Sequence, residues 1–186
     1  MMKAGTLAGA SLLSAWLVAT ALSVQAEPLA KKLHAPREVP KELSVPEGQR
    51  LAFEYRAEGV QVYACQAADP APPAWVLTGP DAKLFDLKGK AAGTHSAGPT
   101  WEAADKSSVV GKKLSAATPL ASAIPWLLLE VASHAGHGVM SDVNYVQRLD
   151  TEGGLAPANG CDASHLGASA RVNYSAVYAF YVADAA

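Results

Sequence analysis

The chain predicts an all-β fold: a single-domain antiparallel sandwich or small barrel. Three observations lead there. Near the C-terminus, Val172, Tyr174, Ala176, Tyr178, Phe180 and Val182 alternate with Asn173, Ser175 and Tyr181, which is the period-two pattern of a half-buried strand. Short apolar runs, about eight to ten with this one, are separated by Gly and Pro turn signals. No stretch carries the 3.6-residue periodicity of a long amphipathic helix. There is also no repeat of solenoid or propeller length.

The expected organisation is 1–26 signal peptide, 27–48 leader and 49–186 β-rich domain. Lys3 precedes an apolar run from Leu7 to Leu22, and Val24 and Ala26 are small residues at the positions a signal peptidase reads. Cleavage is expected before Glu27. The run is too short for a membrane span, so no stable span is expected after cleavage. Pro28, Pro36, Pro40 and Pro46, with scattered charge, describe a loosely draped leader.

From Arg50 to Arg56 the apolar residues alternate. Glu58-Gly59 predicts a turn, and Val60 to Cys65 a second strand of a hairpin. Ala67 to Ala74 is Pro-rich and predicts a rigid loop; Trp75 to Thr78 is a short strand stopping at Gly79-Pro80. Ala82 to Asp86 alternates again. His95 to Asp105 is a turn-rich stretch, and Ser107 to Gly111 a strand and turn. Ile124 to Val131 is the most hydrophobic run of the mature chain and predicts a buried strand containing Trp126. After the His134–Gly138 loop, a strand is expected from Val139 to Leu149, with Val143, Tyr145, Gln147 and Leu149 on one face. Asp150 to Gly154 reads as a turn.

With 15 Lys and Arg against 17 Asp and Glu, the net charge is −2. The basic residues are scattered, so no nucleic-acid partner is expected. The two cysteines, Cys65 and Cys161, both follow the expected cleavage point. An even count in an exported chain predicts one disulfide. Together these features predict a protein of the periplasm or one secreted from the cell.

Several motifs extend over almost the whole mature chain: Val45-Pro46-Glu47-Gly48; Gly59 to Cys65; His95 with Gly98-Pro99-Thr100-Trp101-Glu102; Ile124-Pro125-Trp126-Leu127; Val146 to Leu149 with Thr151-Glu152-Gly153-Gly154; and Tyr174 to Tyr181. Their order resembles an exported domain-of-unknown-function family, number 3455, found in bacteria and fungi. Where that family usually reads Asp-Gly-Ser, this chain has Asp105-Lys106-Ser107, so the tight turn there is expected to differ. Some fungal members carry a malate dehydrogenase label. This chain has neither a Gly-rich strand-to-helix turn nor βαβ order, so no dinucleotide cofactor, or other cofactor, is expected.

Candidate ligand-binding residues are His95, Trp101, Glu102, Asp105 and Arg148. A His titrates near neutral pH and a carboxylate beside it can orient it. Trp101 follows a Pro-containing turn and is expected to be exposed; with Trp75 and Trp126 it is a candidate platform for a sugar-like or other flat ligand. Arg148 is a cation on an apolar strand, suited to an anion or to a salt bridge with Glu54 or Glu130. Gln61, Tyr63 and Gln147 are further polar groups on such strands. Three functional readings follow. The first is an exported small-ligand-binding or structural module with a polar cleft near His95 and Trp101. The second is a cofactor-free hydrolase or lyase using His95 with Glu102 or Asp105. The third is metal binding through His134 and His137, with His165 as an extra ligand.

Overall fold

The computed structural model describes Met1 and residues 38–185. Apart from Met1, the expected signal segment lies outside the described residues, as does the leader up to residue 37. Eight strands follow: β1 (Gln49–Ala68), β2 (Ala71–Phe85), β3 (Ala91–Ser96), β4 (Thr100–Ala103), β5 (Ser108–Ala117), β6 (Trp126–Ala135), β7 (Val143–Gly153) and β8 (Ser169–Ala183). Each pairs antiparallel with the next, and β8 pairs back onto β1. The fold is therefore a closed up-and-down barrel, the second of the two expected architectures. Closure leaves no unpaired sheet edge.

Several boundaries differ from the sequence expectation. Glu58-Gly59 is not a turn but the middle of β1. A Cβ on Gly59 would lie 2.2 Å from the Asp81 carbonyl oxygen and 2.5 Å from Ala82 Cα. Glycine is there because two strands approach closely, not because the chain reverses. The reversal comes at Asp69-Pro70, inside the expected Pro-rich loop. Gly79-Pro80 likewise lies within β2, where the register shifts between Val62 and Tyr63. The His95–Asp105 stretch is a β3–β4 hairpin with its turn at Ala97–Pro99. The expected turn at Asp150–Gly154 is mostly the end of β7, and Val139 lies in the loop before that strand. A register shift between Val143 and Tyr145 moves Val143 to the opposite face from Tyr145, Gln147 and Leu149.

At the Asp105-Lys106-Ser107 turn, Lys106 has φ 71°. A lysine thus occupies the left-handed backbone conformation that glycine adopts most readily.

Ladder partners share a face, so the register defines the lumen. One layer comprises Gly59, Ala82, His95, Trp101, Val109 and Tyr174. Ala57, Leu84 and Ala176 form the next. Towards the end where β8 finishes, Phe53 stacks on Phe180 at 4.8 Å, and Tyr55 meets Phe180 edge-on. The last part of the expected leader is docked on the outside. A 3-10 turn, Lys41–Leu43, buries Leu43 completely, and its carbonyls accept from Ser115 Oγ (2.6 Å, at Glu42) and Gln147 Nε2 (2.7 Å, at Leu43). The expected disulfide is present: Cys65 near the end of β1 joins Cys161 in the β7–β8 loop.

Candidate functional site

The barrel sorts the candidate residues by side. His95 and Trp101 face each other across the β3–β4 ladder, so both point into the lumen. Glu102 is the next residue on a strand and points outwards, where it accepts from Lys106 Nζ at 2.9 Å. Asp105 lies in the exposed β4–β5 turn. Its carboxylate accepts from Ser107 N (3.0 Å), Ser107 Oγ (2.6 Å) and Val139 N (2.8 Å). These bonds, the Ser107 hydroxyl first, hold it below the ordinary carboxylate range. They tie the β4–β5 turn to the loop that inserts the fully buried Met140. The hairpin thus separates His95 from both carboxylates of the hydrolase or lyase reading.

Trp101 is not exposed: it is 1% exposed, whereas Trp126, expected to be the core tryptophan, is only half-buried. Gly111 makes this possible, because a Cβ there would lie 2.9 Å from the Trp101 ring. Trp75 is half-buried and its indole N–H donates to the Asn159 carbonyl at 2.9 Å, fastening the β7–β8 loop. The three tryptophans form no common platform.

His95 is also buried. Its ring stacks on Trp101 at 4.5 Å and meets Tyr178 edge-on at 4.8 Å. Nδ1 lies 2.8 Å from the Thr100 carbonyl oxygen. A carbonyl only accepts, so Nδ1 carries the proton. Burial lowers the pKa from 6.5 to about 3; the Thr100 bond opposes this and the nearby Arg148 charge adds to it. His95 is therefore a neutral imidazole at neutral pH.

Arg148 is brought into the same lumen. It pairs with Leu127 on β6 and Tyr178 on β8. Its Nε donates to the Pro125 carbonyl at 2.9 Å. Glu54 and Glu130 pair with outward-facing positions, so neither forms the alternative salt bridge. In the lumen, several buried side-chain atoms have no partner in full hydrogen-bond geometry: both amide atoms of Gln61, Trp101 Nε1, and the hydroxyls of Tyr174 and Tyr178, which lie close to one another, Tyr178 also close to Arg148. Burial raises the pKa of both tyrosines, so both are neutral phenols. Tyr63 is satisfied, donating to the Gly154 carbonyl at 2.6 Å. Gln147 is satisfied on the outer face, by Leu43 and by the Tyr181 hydroxyl at 2.7 Å.

Gln61 was visible in sequence as a polar residue on an apolar strand. In sequence Tyr174 and Tyr178 belong to the apolar face of β8, because a tyrosine carries its polar atom at the end of an apolar body. Two open clefts lie at the end of the barrel where β8 finishes. One, of about 620 Å³, includes Arg50, Phe53, Ser141 and Asn144; the other, of about 250 Å³, includes Tyr55, Asp86, Lys90 and Asp105. Val139 lines both, and neither is lined by His95 or Arg148.

The histidines of the metal reading are apart. His134 Nε2 lies 2.8 Å from the Val143 carbonyl oxygen, and His137 is in the β6–β7 loop. His165 is in the β7–β8 loop at the other end of the barrel, beside Asp162. Among the described residues no three His, Cys, Asp or Glu side chains group as a metal site.

No curated protein and no solved structure matches the chain. The model of one family, described as a protein of unknown function, DUF3455, matches residues 46–182, and the chain belongs to that family.

Proposed function

We propose that this protein is an exported binding module that holds one small polar ligand inside its barrel. The observation that carries the reading is the group of unpartnered polar atoms on Gln61, Trp101, Tyr174 and Tyr178, all inside the barrel into which Arg148 projects. Buried polar groups in folded proteins nearly always have partners, and leaving one unpaired costs roughly 1–3 kcal/mol. Eight strands give an interior that side chains fill or that accommodates one small ligand. The separation of His95 from Glu102 and Asp105 favours binding over catalysis at this site.

Export is supported by the Cys65–Cys161 disulfide. The test is a thermal-shift screen of small polar compounds with the disulfide-bonded protein, followed by a high-resolution crystal structure. A hit should raise Tm and place ligand density against Gln61 and Tyr178. Ordered waters alone on these atoms, with no hit that contacts them, would show that the cluster is a hydrated structural core.

A further inference from the structure

We propose that the lumen site takes a small oxyanion, either a carboxylate group or a free inorganic oxyanion, with Arg148 as its counter-charge and Gln61, Tyr174 and Tyr178 as neutral partners. This rests on the lumen-binding reading above and names its ligand class.

A guanidinium has five N–H donors. In Arg148, Nε is used on the Pro125 carbonyl. No carboxylate among the described residues forms an ion pair with it; Arg56 and Arg171, by contrast, pair with Glu58 and Asp81. A half-buried cation facing a low-dielectric interior is poorly compensated unless an opposite charge joins it. The terminal N–H groups form a fork matched to two oxygens of one oxyanion. Tyr178 is the ladder partner of Arg148, close enough for the guanidinium and the phenol to interact, though short of full hydrogen-bond geometry. Tyr174 lies next to Tyr178 on the same face of β8, and their hydroxyls sense one another.

Neither phenol has an ionised form at neutral pH, so both can donate to an anion without adding charge. Gln61 contributes a second kind of donor in Nε2. Its Oε1 accepts from a ligand hydroxyl or a co-bound water. Packing around Gln61 and Tyr174 is tight where Gly154 follows β7. A Cβ on Gly154 would meet Tyr174 Cβ at 2.9 Å, Ile124 Cγ2 at 3.0 Å and Gln61 Cγ at 3.2 Å. The stacked rings of Trp101 and His95, with Tyr178 across them, occupy the adjoining volume. With these groups packed so closely, only an anion of a few non-hydrogen atoms is proposed.

The experiment is calorimetry on the disulfide-bonded protein with sodium acetate, sodium phosphate, sodium chloride and the neutral isostere acetamide. Acetate or phosphate should bind at least ten-fold more tightly than acetamide or chloride. Tighter acetate assigns a carboxylate ligand, and tighter phosphate an inorganic oxyanion. Arg148→Gln should weaken the preferred anion at least ten-fold. Tyr178→Phe removes one hydroxyl with little change of shape, and should weaken it several-fold even where Arg148→Gln does not fold. Acetamide binding as tightly as acetate, or chloride displacing the oxyanion at equal concentration, would overturn the oxyanion assignment and leave lumen binding in place. No binding by any of these probes, together with waters alone on Gln61, Tyr174 and Tyr178 in the crystal, would overturn both.

Discussion

His95 allows a quantitative test of the lumen. Its pKa falls from 6.5 to about 3 on folding, chiefly through burial. Between these values the unfolded chain binds a proton at this position and the folded chain does not. Stability therefore rises with pH through the window and is lost as pH falls from 6.5 towards 3. Lowering pH from 6.5 to 4.5 should remove about 2.3 kcal/mol through His95 alone, a large part of the roughly 5–15 kcal/mol typical of a domain. Asp105 and Asp162, held below their ordinary 3.8 by hydrogen bonds from Ser107 and Ser164 first of all, also lose stability with acid, but at lower pH. Their stabilisation is present above 3.8 and is lost below it, outside the range from pH 6.5 to 4.5. Urea unfolding at pH 6.5, 5.5 and 4.5 measures the effect, with His95→Gln as the variant that cannot titrate. The wild type should lose stability with acid and His95→Gln should lose about 2 kcal/mol less. Equal losses in both proteins, or a wild-type change below about 0.5 kcal/mol, would refute burial of a neutral imidazole at this position.

Two further outcomes follow from the packing. Trp101→Ala should cost about 3–5 kcal/mol in urea melts, as large-to-small changes in aromatic cores do, and Trp126→Ala distinctly less; the reverse order would contradict the placement of the two rings. Reducing the Cys65–Cys161 bond, whose residues are 96 apart, should lower stability by about 4–5 kcal/mol on the chain-entropy model. A mass unchanged by reductant, or thiols that alkylate in the unreduced unfolded protein, would exclude the bond.

The strand content was legible because alternation survives wherever one face is buried. In β8 the inward Tyr174, Ala176, Tyr178 and Phe180 alternate in sequence as in space. Strand length was less legible, because glycine has two uses that sequence alone does not separate. Gly59 and Gly79 read as turns, yet both lie within long strands, Gly59 where two backbones nearly touch. The exchange of roles between Trp101 and Trp126 has a similar origin. An apolar neighbourhood in sequence suggested that Trp126 was the core residue. What buries Trp101 is the absent side chain of Gly111 on the facing strand, which only the register reveals.

For the site, strand parity decides what proximity in sequence could not. His95, Glu102 and Asp105 are close along the chain, but one residue of offset on β4 sends Glu102 outwards while Trp101 points inwards. Arg148 is remote in sequence, and the ladder through Tyr178 brings it into the same lumen. The polar atoms left without partners there all come from residues that each strand would tolerate singly: one Gln on β1, one Trp on β4, two Tyr on β8. A barrel selected for stability alone would replace Gln61 with an apolar residue of similar volume and leave no orphaned amide. Four residues on three strands that depart together from that rule, around an Arg with no acidic partner among the described residues, violate local consistency in one small volume. Such violations concentrate where a sequence serves binding rather than folding, so the lumen, and not the exposed hairpin carboxylates, is where a ligand should be sought.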